Sequence, residues 1–143
     1  MELFQVDDDR RLFISPAIED WESIAHYEID TIIDLEGGLD SGIPTIANSL
    51  YIYFPILDDD DRLPDVVKLQ AVARLGASLV REGHRVLSHC GMGFNRSALV
   101  AGLILTELGM SGRDAVARLR ERRPGALFND RFAQYLEGLS NGS

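Results

Sequence analysis

Short apolar runs alternate along this chain with longer stretches in which apolar residues recur every three or four positions. Leu3 to Val6 and Arg11 to Ile14 predict two short strands around the turn Asp7-Asp8-Asp9, whose carboxylates read as a solvated face. Ser15-Pro16 reads as a hydroxyl cap followed by proline at the first helical position. The helix predicted there runs from Pro16 to Tyr27 and buries Ile18, Trp21 and Ile24. Thr31 to Leu35 is a β-branched run that predicts a central strand, and the turn-rich stretch Glu36 to Asn48 predicts a loop. Leu50 to Ile56 alternates aromatic and aliphatic residues and predicts a further strand, ending near Pro55.

Pro64-Asp65 opens a helix with Val66, Leu69, Val72, Leu75 and Leu79 as its apolar positions, and Gly83 stops it. Val86 to His89 predicts a short strand that leads directly into Cys90. Ser97 to Leu108 reads as a buried helix. Ser111 caps another through Arg122, and Asn129 caps a last one ending near Leu139. Strands alternating with helices over residues 1–143 predict one α/β domain, a mostly parallel twisted sheet of about four or five strands with helices on both faces.

Composition narrows the function. Hydrophobic residues at 45% and charged residues at 26% fit a globular chain and exclude a disordered one. No apolar run approaches the roughly 18 residues that span a bilayer, and MELFQVDDDRR lacks the basic-then-apolar pattern of a secretory signal. A single cysteine excludes an internal disulfide and fits a reducing compartment, so a cytoplasmic location is expected. The net charge of −9 argues against nucleic acid and anionic membranes as partners, and nothing demands more than a monomer. An anionic substrate must therefore be attracted locally, against the mean field.

The local attraction is found in His89-Cys90-Gly91-Met92-Gly93-Phe94-Asn95-Arg96-Ser97. A strand delivers a cysteine to a tight loop, and the loop feeds a helix. Backbone amides of Gly91, Met92, Gly93, Phe94 and Asn95 can converge on one point, and the helix adds its unpaired N–H groups and dipole. Gly91 and Gly93 permit the backbone conformations this needs. Arg96, six residues after Cys90, carries a fork that suits two phosphate oxygens. A thiolate beneath a bound phosphate is set for in-line attack, giving a cysteinyl-phosphate, while Ser97 can donate to the sulfur as it departs. A lone cysteine is more often inert core filler. Strand, His-Cys, two glycines, Arg-Ser and a buried helix in that order outweigh that reading.

The segment His89-Cys90, five residues, then Arg96-Ser97 resembles the signature loop of the protein tyrosine phosphatase superfamily, and the size of the chain resembles its small dual-specificity members. LFISPAIED and IDTIIDL resemble the family's early strand, helix and second strand. YIYFPILD resembles the strand before its general-acid loop, and RRPGALFNDRFAQYL its C-terminal region.

The resemblance implies a general acid about thirty residues before the cysteine, just after the proline-bearing strand. Asp58, 32 residues upstream and directly after Pro55-Ile56-Leu57, is preferred over its competitors Asp59, Asp60 and Asp61. The resemblance also implies that His89 orders the loop and that Asn129 braces it, besides capping a helix. His26 and His84 read as surface residues, and no spacing of His, Cys and carboxylates marks a metal site, so neither metal nor cofactor is expected.

The implied activity is cofactor-free hydrolysis of phosphate monoesters, on a phosphorylated protein or a small phosphomonoester. The loop lacks a lysine, which weakens a phosphoinositide substrate, and the acidic charge weakens an RNA 5′-phosphate. Met92 and Phe94 place apolar groups at the mouth of the site. Without a long insertion to deepen the pocket, phosphotyrosine, phosphoserine and phosphothreonine are all expected substrates. Sulfur transfer, arsenate reduction and a non-catalytic phosphopeptide-binding module are the competing classes. The first two are disfavoured by the loop length and the absence of resolving cysteines, the third by the joint presence of Cys90, Arg96 and Asp58.

Overall fold

The structure is a computed structural model, and it describes residues 1–139. Two short strands, β1 (Phe4–Gln5) and β2 (Leu12–Ser15), form an antiparallel hairpin. The chain continues through α1 (Trp21–His26), β3 (Thr31–Asp34), β4 (Leu50–Tyr53), α2 (Val66–Arg81) and β5 (Val86–His89). Three helices follow: α3 (Arg96–Glu107), α4 (Gly112–Arg122) and α5 (Asp130–Glu137). The five strands lie in the order β1-β2-β5-β3-β4, and all pairs except β1/β2 are parallel.

Helices cover both faces of the sheet, unequally. Leu12, Ile14, Ile33 and Val86 face the larger core, which α2, α3, α4 and α5 complete. Phe13, Ile32 and Leu87 face the smaller one, which Trp21 and Ile24 of α1 close. The alternation follows from the period of two in a strand. Helix α3 is buried from Ser97 through Thr106, so it forms the spine of the domain. Each large side chain fully buried there contributes about 1.5–3 kcal/mol. Among the described residues no helix is long and apolar enough to cross a membrane.

Several expectations about these elements are corrected. Asp7 is buried, not solvated: its carboxylate accepts the N–H groups of Arg11 and Leu12 at 3.0–3.1 Å and so closes the β1–β2 hairpin. Ser15 caps no helix; it ends β2 opposite His89, and its carbonyl accepts the Cys90 N–H at 3.3 Å. Ala17 N–H reaches Gly91 O at 3.2 Å, so this stretch is tied to the segment after β5. The helix begins only at Trp21, where Asp20 accepts the Ser23 N–H at 2.8 Å.

Strand β4 stops at Tyr53, short of Pro55. Phe54 and Ile56 still donate to Asp34 O and Leu35 O on either side of the proline, which has no N–H to give. The core face of α2 is Leu69, Ala73, Gly76, Ala77 and Val80, while Leu75 is exposed. Small residues there let α2 approach α3: a Cβ on Gly76 would lie 2.6 Å from Ile104 Cδ1.

Candidate active site

The parallel strands β2, β5 and β3 end level with one another, at Ser15, His89 and Asp34. Their carboxyl ends form the edge where α/β sheets bind ligands. β5 delivers Cys90 to that edge, and Leu35 N–H closes on His89 O at 3.0 Å. Cys90 is 2% exposed. Its Sγ accepts the Gly93 N–H at 3.3 Å and lies 3.4 Å from Ser97 Oγ in the first turn of α3.

From Gly91 to Phe94 the loop has its carbonyls bound from outside. Gly91 O accepts from Ala17 N–H at 3.2 Å, and Phe94 O from Leu127 N–H at 2.9 Å. Met92 O and Gly93 O accept from the Arg123 guanidinium. Among the described residues every peptide bond is trans. In a planar trans peptide the N–H points opposite the preceding carbonyl. Outward carbonyls on Gly91 to Phe94 therefore turn the amides of Met92, Gly93, Phe94 and Asn95 to the inner side, where Gly93 N–H meets the sulfur. Gly93 has φ +74°, and a Cβ on it would sit 2.7 Å from Pro16 N, so both backbone conformation and the β2 exit exclude a side chain.

Arg96 opens α3. Its Nη2 pairs with Glu36 Oε2 at 3.2 Å and its Nη1 donates to Ile56 O at 3.4 Å. Its Nε is buried without a hydrogen-bond partner among the described residues. Glu36 was not anticipated. It lies just past β3 at the same carboxyl edge as Cys90, which is the only signal the sequence held for it. Its carboxylate overhangs Gly91, where a Cβ would collide with it.

The structure brings Asp58 to the loop. Its Oδ2 accepts Asn95 Nδ2 at 2.8 Å and its Oδ1 accepts Asn129 Nδ2 at 2.7 Å. Asn95 Oδ1 in turn accepts Asn129 N–H at 2.9 Å, and Asn129 Oδ1 caps α5 through Phe132 N–H. Asp59 contributes only its backbone carbonyl to Asn129, and Asp61 only its carbonyl to Arg131. Of the four aspartates, Asp58 is the one whose carboxylate is bonded to a residue of the Cys90 loop.

His89 is fully buried and faces a cluster that spacing did not reveal. Its Nε2 lies 2.9 Å from Asp40 Oδ2 and 3.5 Å from Asp34 Oδ1. The Tyr51 hydroxyl bonds both Asp34 and Asp40. Burial, reinforced by the Asp34 carboxylate, pushes that hydroxyl above its ordinary value, so it remains a proton donor. Together these bonds tie the Glu36–Asn48 loop to β5, the strand that leads into Cys90. Asp34, Asp40 and His89 offer ligand atoms within 4.8 Å of one another, with the Tyr51 hydroxyl between the two carboxylates. His26 and His84 are exposed, as expected. At the rim Met92 is 68% exposed, whereas Phe94 packs on Phe128 with ring centroids 5.9 Å apart.

The family model described as "Dual specificity phosphatase, catalytic domain" matches residues 12–141, and the chain belongs to that family. The Drosophila melanogaster dual specificity protein phosphatase Mpk3 is 28% identical over 123 residues, covering 82% of this chain. The chain spans only 28% of that relative's length. Among solved structures, human DUSP28 superposes with a TM-score of 0.76 at 22% identity, covering 94% of this chain and 92% of its own. Tk-PTP in its active form gives 0.70 at 27% identity, with 94% and 95% covered.

Proposed function

We propose that this chain is a catalytic domain that hydrolyses phosphate monoesters on tyrosine, serine and threonine side chains of proteins, through a cysteinyl-phosphate. The observation that carries the proposal is the backbone of the Cys90 loop, whose carbonyls are bound outward while Asp58 is bonded to the same loop. The inner side then presents amide donors and the first turn of α3 to an anion, directly above the sulfur. The unpartnered Arg96 Nε is a further donor at the same place, since buried polar atoms left without partners are rare.

In this reading the Cys90 thiolate attacks phosphorus in line with the leaving oxygen. The S–P bond forms, the P–O bond to the substrate breaks, and Asp58 gives its proton to the departing oxygen. Water then attacks the phosphocysteine, Asp58 takes the water's proton, and phosphate leaves. Ser97 donates to the sulfur as it departs. Arg96 holds two of the equatorial oxygens, His89 and Asn129 keep the loop in register, and no metal or cofactor takes part. The acidic surface favours a phosphoprotein over RNA or an anionic lipid surface. An unpaired thiol at the nucleophile position favours a reducing compartment, the cytoplasm, with the domain acting as a monomer.

Hydrolysis of p-nitrophenyl phosphate by wild type and by Cys90→Ser, with and without vanadate, tests the chemistry. Turnover that is lost in the variant and blocked by vanadate is expected. Absence of turnover with a phosphopeptide still bound would convert the reading to a binding module. Product profiling on phosphopeptides, phosphoinositides and 5′-phosphorylated RNA then tests the substrate, with phosphopeptides expected to be preferred.

A further inference from the structure

A phosphate nest at Cys90 requires successive carbonyls to stay turned away from the anion, and one side chain from outside the loop holds two of them. Arg123 ends α4. Its Nη2 donates to Met92 O at 3.2 Å and its Nε to Gly93 O at 3.4 Å. The guanidinium carbon lies 4.0 Å from the ring centroid of Phe94 and 4.4 Å from that of Phe4. Cation–π attraction to the two rings fixes where the fork can point. One of these rings belongs to the loop itself and the other to β1, so the arginine joins the hairpin edge of the sheet to the site.

We propose that Arg123 is a positioning residue for the phosphate loop, acting through the Met92 and Gly93 carbonyls to keep the Gly93 and Phe94 amides aimed at the substrate phosphoryl group. The inference rests on the phosphatase reading of that loop. A peptide plane next to glycine can rotate with little movement of its neighbours, because no Cβ opposes the change. A plane that rotated here would aim a carbonyl oxygen at an anion and remove one donor. Gly93, with its positive φ, stands beside both planes that Arg123 binds. A planar guanidinium makes the two bonds in fixed geometry, which the point charge of lysine cannot reproduce. The backbone supplies the other two restraints, at Ala17 and Leu127, so the arginine is the part of the brace a substitution can remove.

The test measures vanadate inhibition and initial rates on a series of aryl phosphates for wild type, Arg123→Met, Arg123→Lys and Phe4→Leu, with thermal unfolding alongside. Vanadate binding is expected to weaken about ten- to a hundredfold in Arg123→Met, on the scale of losing charge-assisted hydrogen bonds. KM should rise for every aryl phosphate while the dependence on leaving group stays as in wild type. Arg123→Lys should fall nearly as far, which separates geometry from charge. Phe4→Leu, which loosens the sandwich and keeps both donors, should move the same readouts less. A merely structural arginine would reduce the folded fraction, and so kcat, with the vanadate inhibition constant unchanged; that result overturns the proposal, as does wild-type vanadate affinity in Arg123→Lys. Failure of wild type itself to bind vanadate would remove the phosphatase reading, and this inference with it.

Discussion

At the start of α4 the Ser111 side chain accepts the Asp114 N–H at 3.1 Å, whereas at the start of α3 Asn95 makes no such bond. Helices α1, α2 and α5 begin as α4 does, capped by Asp20, Asp65 and Asn129. Asn95 is a residue type that caps well. Here its amide is bonded to Asp58 and its oxygen to the Asn129 backbone instead. A cap closes a helix upon itself and adds stability. Diverting that side chain leaves the start of α3 without a side-chain cap and uses the side chain to hold the Asp58 carboxylate beside it. Asparagine thus caps its own helix at Asn129, where it also bonds Asp58, and leaves its helix uncapped at Asn95.

The comparison can be broken most severely at the open end. Cys90→Ser should lower p-nitrophenyl phosphate turnover by at least about a thousandfold, the scale seen when a nucleophile is removed. It should still bind tungstate, measured by calorimetry; loss of that binding would mean the open helix start is not the anion site. Asp58→Asn comes next, with about a hundredfold loss on alkyl phosphates and a much smaller one on p-nitrophenyl phosphate, whose leaving group needs little help. Equal losses on both substrates would end the acid assignment. Asn95→Ala removes the tether without removing the acid, and should cost about tenfold on alkyl phosphates while tungstate affinity is nearly kept.

At the closed end the effects turn from rate to stability. Ser111→Ala should cost about 1 kcal/mol in urea unfolding and leave turnover unchanged. Smallest is a pH effect at α1. Hydrogen bonds from the Ser23 backbone and side chain hold the Asp20 carboxyl below its ordinary value. Its contribution is present above the ordinary carboxylate range and fades as pH falls through the lowered value. Asp20→Asn should therefore flatten the acid limb of the stability curve slightly, without touching catalysis at neutral pH.

Much of this was legible because it is local. The Cys90 loop is contiguous, its glycines and Arg96 sit at fixed offsets, and α2, α4 and α5 announce their own caps. Ser15-Pro16 misled for the same reason: a good local start signal lost to pairing with His89 and to the bond from Ala17 to Gly91, which no nearby residue foretells. On α2, Leu69 is buried and Val72 and Leu79 pack against the core as their spacing predicts. Leu75, by contrast, is exposed and Gly76 meets Ile104 of α3, because close approach rewards small residues where a hydrophobicity count rewards large ones. Asp58 could be preferred only through a resemblance, since four aspartates in a row look alike until Asn95 and Asn129 distinguish one. Glu36, Asp40 and Arg123 reach the site across long stretches of chain, and a one-dimensional pattern carries no trace of such meetings.

The outward carbonyls have a consequence for how the protein is made. The loop is held on one side by Ala17 and on the other by Arg123 and Leu127, so the segments that shape it flank it in the order of synthesis. Arg123 and Leu127 are translated after Cys90, and Asn129 follows them. A nascent chain therefore carries the thiol before it carries the cradle above it. Activity should return late in refolding, behind the helical signal, because non-local contacts complete the loop. On the proposed reading, turnover would then double as a report that these distant segments have closed around the loop.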